Sequence, residues 1–150
     1  MASHEASVTV ERPVRTVYNQ WTQFESFPQF MDGVEQVAQL DDKRLHWVTK
    51  VAGVQREFDA EITEQTPDQR IAWKSTGGTS QAGVVTFHRL GEGQTKVMLQ
   101  LEMDPQGLVE KVGDMAGFVQ RQVDGDLDRF KRFIESRGQE TGGWRGTVAA

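Results

Sequence analysis

Arg56 is the polar side chain of this sequence best placed to do chemistry. In the run REFDAEI it shares parity with Phe58, Ala60 and Ile62, so in a strand all four point to one side. A guanidinium at the end of an apolar face presents paired donors to a carboxylate, an enolate or a quinone oxygen. The same side chain could instead sit past the strand end and pair with a nearby acid. A reaction at that oxygen would need a positioned acid or base as well as a donor, and no side chain is placed for it. His46 and His88 take the opposite parity in their runs, as do Glu57, Asp59 and Glu61, and His4 falls in the N-terminal tail. Catalytic residues therefore stay unassigned. Three dispersed histidines without cysteine make no metal site, and nothing calls for a cofactor.

Other motifs read as structure. The stretch TGGTSQAG leads into a strand, whereas a phosphate loop leads into a helix N-terminus, so it is a turn. The run DGDLDRFKR keeps an apolar helical period, so it is a solvated helix face with an Asp128–Arg132 ion pair rather than a calcium loop.

Aromatic residues are the other resource. QWTQFESFPQFM places Trp21, Phe24, Phe27 and Phe30 three apart, followed by Met31. Pro28 lacks an amide hydrogen and disfavours helix at Phe27, so two short helical pieces with a bend are expected rather than one stripe. Such a pair fills a core, or lines the mouth of a pocket through Phe27, Phe30 and Met31. Trp47, Phe58, Trp73 and Phe87 fall on the inward parity of neighbouring strands, as flat walls for a ligand or as core. Leu99, Met115 and Val119 complete the expected lining.

The 150 residues, 37% of them hydrophobic, suit one domain that needs no crosslinks, and there are no cysteines. A net charge of −5 without a basic cluster argues against nucleic-acid binding. The start lacks a signal-peptide pattern and no run of about 18 apolar residues occurs, so a cytoplasmic protein without an integral membrane segment is expected.

Val8 and Val10 alternate with polar residues over Ala6 to Arg12, which predicts a strand, and Pro13 opens a helix carrying Val14, Val17, Tyr18 and Trp21. From Val34 to Met103, period-two runs separated by DDK, GV, TPDQ, TGGTSQAG and GEGQ predict six more antiparallel strands. Leu108, Val112, Met115, Val119, Val123, Leu127, Phe130 and Ile134 recur every three or four residues, predicting an amphipathic helix over 108–137. Unbroken, it would run roughly 45 Å, and Gly113 and Gly117, each worth about 1 kcal/mol against alanine, mark a weak point. Gly138 stops it. The fold class is α+β. Residues 1–138 form one domain, and the Gly-rich 139–150 is a tail, either frayed or docked through Trp144 with Arg145 on an acidic patch.

The blocks PVRTVYNQWTQFESFPQFMDGVEQV, EITEQTPDQRIAWKSTGG, AGVVTFHRL and DLDRFKRFIESRGQETGGWRG, in this order, resemble the START-like superfamily (SRPBCC). It is also called the polyketide cyclase/dehydrase and coenzyme Q-binding superfamily. The resemblance spans the whole chain. It implies a helix-grip fold, a curved seven-stranded antiparallel sheet around a long C-terminal helix, with two short helices after strand 1. It also implies a cavity for a small hydrophobic molecule such as a lipid, quinone or polyketide, held by a non-catalytic carrier or chaperone. The alternative it implies is a polyketide aromatase/cyclase or dehydratase. A regulator working through its outer face is a third class.

Overall fold

The computed structural model describes residues 2–51, 53–78, 80–103 and 115–148. Strand β1 (Ala2–Val10) leads through Pro13, whose extended backbone caps the next element, into helix α1 (Val14–Trp21). A short 3-10 helix, Phe24–Gln29, contains Pro28 and supplies the bend expected of the aromatic stretch. Then come β2 (Val34–Gln39), β3 (Arg44–Val51), β4 (Val54–Thr66), β5 (Arg70–Gly78), β6 (Gln81–Gly91), β7 (Gln94–Met103) and helix α2 (Met115–Arg137). The seven strands form one antiparallel sheet in the order β1-β7-β6-β5-β4-β3-β2. Every strand from β2 to β7 pairs with its sequence neighbour, as short turns require. At the β5–β6 turn Gly78 has φ +88°, and a Cβ there would lie 2.5 Å from the Glu57 carbonyl, so only glycine fits.

One sheet face is the core. Leu45, Trp47, Phe58, Ala60, Ile62, Ile71, Trp73, Val85, Phe87, Val97 and Leu99 are all buried, following the parity read from the sequence. Val119, Val123, Leu127, Phe130 and Ile134 of α2 are buried against that face. Helix α2 also covers the free edge of β1. Gln120 Nε2 donates to the Glu5 carbonyl at 2.8 Å and Lys131 Nζ to the Thr9 carbonyl at 2.7 Å. Edge carbonyls that would recruit another strand are thereby satisfied.

Two expectations are corrected, and one open alternative is decided. Strand β1 starts at Ala2 rather than Ala6, because its ladder with β7 runs from Val10↔Thr95 out to Ala2↔Met103. His4 is therefore in a strand, not a tail, and is buried. The run DGDLDRFKR is only partly a solvated face. Asp128 and Arg132 form the expected exposed pair at 3.2 Å, but the Asp126 side chain is only 12% exposed and is bonded to Arg129. The tail, 139–148, is docked rather than frayed. Gln20, fully buried, donates to Thr141 Oγ1 at 3.1 Å and accepts from the Thr141 amide at 2.9 Å. Trp144 is partly buried and its amide donates to Thr22 Oγ1, while Gln65 and Val148 exchange both backbone bonds. Arg145 reaches Asp68 at 2.8 Å and Asn19 at 2.7 Å, and lies over the Tyr18 ring. The expected start of the last helix at Leu108 and the Gly113 part of the weak point lie outside the described residues, whereas Gly117 falls within α2. Gly138, with φ +81°, returns its amide to the Ile134 carbonyl and ends α2 as expected.

Candidate functional site

A stack of aromatic rings crosses the concave face. Trp47 on β3 lies nearly parallel to Phe58 on β4, with centroids 5.7 Å apart and a 10° interplanar angle. It also stacks with Trp73 of β5 at 5.8 Å and 23°. Cross-strand register produces the first contact, since Trp47 pairs with Phe58. Trp73 pairs with Gly83 of β6, and its indole lies over that glycine. A Cβ on Gly83 would stand 2.3 Å from Trp73 Cζ2. The missing side chain on β6 is thus what lets the indole lie flat.

Both indoles are almost fully buried, Trp47 at 3% and Trp73 at 4% exposed, yet among the described residues neither Nε1 has a hydrogen-bond partner. Buried indole N–H groups usually find one, and an orphaned buried donor is unfavourable by about 1–3 kcal/mol. Phe27 meets the stack from above, 5.8 Å from Trp47.

The bent aromatic stretch sits on this stack and is tied to α2. Phe30 packs on Phe130 at 5.1 Å and on Phe133 at 5.4 Å. Arg129 Nε donates to the Phe30 carbonyl at 3.0 Å, and the Asp32 amide donates to Asp126 Oδ1 at 3.0 Å. Burial pushes the Asp126 carboxyl up to about 6, against the opposing pull of Arg129 and the Asp32 amide. Asp126 and Arg129 thus clasp the loop that follows Phe30.

The expected site residues separate into groups. Phe27, Trp47, Phe58 and Trp73 come together. Phe30 and Met31 are buried beside them, Phe30 in the cluster with Phe130, so neither lies on an exposed rim. Phe87 is buried but faces Tyr18 of α1, 5.3 Å away. Leu99 and Val119 are buried in the same core. Arg56 is half-buried opposite Thr49, two residues before Phe58. The side chain of Met115 lies outside the described residues. A surface hollow of about 570 Å³ is bordered by Asp41, Asp42, Lys43, Arg44 and Glu61 at the β2–β3 hairpin. It holds no aromatic wall and is a gap between charged side chains.

One inward titratable group escaped the sequence reading. His4 shares the face of Ala6 and Val10, and its Nδ1 lies 3.4 Å from Gln120 Oε1. The signal was present, because the alternation of Ala6, Val8 and Val10 extends back to His4. Among the described residues no group of acids and histidines could hold a metal ion, and no helix is long and apolar enough to cross a membrane.

Residues 10–132 match the family described as polyketide cyclase / dehydrase and lipid transport. The chain belongs to this family. An uncharacterised 17.2 kDa protein of Streptomyces lincolnensis is 64% identical over 149 residues, 99% of each chain. A START superfamily protein from Mycobacterium smegmatis shares the fold at TM-score 0.73 and 16% identity, covering 90% of this chain and 98% of that one. The Zhui aromatase/cyclase of a Streptomyces species aligns at TM-score 0.73 and 19% identity over 95% of this chain and 99% of that one. The fold is the START-like helix-grip fold.

Proposed function

We propose that this chain binds a small, flat hydrophobic molecule against the aromatic stack of its concave face and acts as a non-catalytic carrier. The carrying observation is the pair of buried indole N–H groups on Trp47 and Trp73, which have no hydrogen-bond partner among the described residues. An apolar wall with a few polar handles is the usual composition of a small-molecule site, and orphaned donors beside stacked rings suit a ligand with carbonyl or quinone oxygens. Arg56 serves as a further handle near Phe58, and Phe27, Phe30 and Met31 move with their clasped loop to admit the ligand. The family description, which joins lipid transport with cyclase chemistry, supports the same class of ligand.

Native mass spectrometry of protein purified without an apolar wash tests this. A stoichiometric adduct, extracted and identified as a lipid, quinone or polyketide-like molecule, is expected. Empty protein whose tryptophan emission is also unaffected by menadione overturns the proposal.

A second reading, cyclisation or dehydration of a polyketide-like chain, is favoured by His4, an inward titratable group of the kind such chemistry requires. Zhui is named an aromatase/cyclase. Turnover of such a chain that is lost in His4→Gln while folding is kept would establish it over the carrier.

A further inference from the structure

His4 has a defined tautomer. Gln120 places one amide atom 2.8 Å from the Glu5 carbonyl and 3.2 Å from Asp124 Oδ1. Both of those partners accept only, so that atom is the amide nitrogen. The other atom, 3.4 Å from His4 Nδ1, is then the amide oxygen, and Nδ1 must carry the proton. In a neutral imidazole this leaves the Nε2 lone pair as acceptor. The two ring nitrogens diverge, so Nε2 faces away from Gln120.

Register fixes what lies on the same face. His4 pairs with Leu101, Leu101 with Gly83, and Gly83 with Trp73. One row across the concave side therefore runs Trp73, Gly83, Leu101, His4. Two strand spacings separate Gly83 from His4, about 10 Å, roughly the length of a fused two- or three-ring system. The indole donor at one end and the imidazole acceptor at the other differ in sign.

We propose that His4 Nε2 is the proton-accepting contact of the ligand site, and that its ligand is a planar phenol or enol whose O–H donates to it. Gln120 is the positioning residue that holds the tautomer, and Asp124 orients Gln120. The inference rests on the binding reading above and adds the ligand's polarity. Trp47 and Trp73 accommodate oxygens that accept, and His4 selects an oxygen that donates.

The test uses the full chain with 2-naphthol and its O-methyl ether, 2-methoxynaphthalene. Nitrogen-15 NMR of the free protein should show His4 in the Nδ1–H form, and Gln120→Leu should relax that preference. An Nε2–H form in the unaltered protein overturns the proposal without any variant. Tryptophan quenching should then show 2-naphthol binding about fivefold more tightly than the ether, the worth of one neutral hydrogen bond. The His4 Nε2 resonance should move only with 2-naphthol, and His4→Phe should erase the preference while still binding the ether. If neither compound binds, the ligand-site reading fails. If both bind equally and Nε2 does not move, the site stands and the role of His4 falls.

Discussion

Gly83→Ala tests the aromatic stack through one methyl group. The added Cβ would stand 2.3 Å from Trp73 Cζ2, 2.7 Å from Cε2 and 2.8 Å from Cη2, far inside contact distance. All three are atoms of a rigid indole plate rather than the end of a flexible chain. The plate is also held by its stacking contact with Trp47 at 5.8 Å. Overpacking of this kind is unfavourable by about 1–3 kcal/mol. Against it stands the gain of about 0.4–1 kcal/mol from restricting the unfolded chain when glycine becomes alanine. The expected net loss is therefore about 1–2 kcal/mol, measured by urea denaturation with an unchanged m-value. Trp73→Phe removes the clashing edge. In that background Gly83→Ala should be neutral or slightly stabilising, so the double-mutant cycle should return a coupling of at least about 1 kcal/mol. A Gly83→Ala protein as stable as the parent, or a cycle with no coupling, would refute the claim that the glycine makes room for the indole.

Asp126 sets a pH dependence. Its folded pKa of about 6 lies above the ordinary 3.8 because of burial, so the protonated form is favoured in the fold. Stability from this group is present below about pH 4 and is lost as pH rises through about 6, on the order of 3 kcal/mol in all. Asp126→Asn should lack this component, and a parent-minus-variant difference that stays flat from pH 4 to 7 would remove it. Thr141→Val takes one acceptor from the buried Gln20 amide and should destabilise by about 1 kcal/mol, with faster amide exchange in α1 as the local readout. If exchange in α1 is unaltered, the docked tail does not brace that helix. On the outer face, hydrogen bonds that His46 donates to Asp59 at 2.7 Å and to Glu57 at 3.0 Å raise its pKa, Asp59 the more strongly. An NMR titration should place its midpoint above 6.5, and Asp59→Asn should lower it; a midpoint at or below 6.5 contradicts this geometry.

The strand content was legible because its signal is local. A period of two in Phe58, Ala60 and Ile62, or in Val97 and Leu99, reports which side chains face the core whatever lies opposite. The turn residues between the runs then allowed only neighbours to pair. Pro28 likewise announced its own bend. What escaped depended on partners far along the chain. Asp126 looks like a surface acid within its own helix, and only the arrival of the Asp32 amide from 94 residues away makes it a buried one. Gln20 looks like an exposed helix position until Thr141 closes over it from 121 residues away.

The same distinction separates the two indoles from the histidine in the candidate site. Trp47 and Trp73 could be placed inward by parity, but parity carries no information about whether an indole N–H finds a partner. That depends on every element packed around it, and among the described residues none supplies an acceptor. His4 failed differently, because a histidine at the start of a chain interrupts an apolar pattern and looks like the end of a strand. Its inward position follows the alternation of Ala6, Val8 and Val10, and the β7 ladder carries that alternation past Ala6 to Ala2. Once the strand is extended, a carboxylate and a carbonyl that only accept fix the Gln120 amide, and the amide fixes the imidazole proton. The polarity of the face then follows from two kinds of fact, strand register and hydrogen-bond valence. It predicts a ligand that accepts a proton bond at the indoles and donates one at His4.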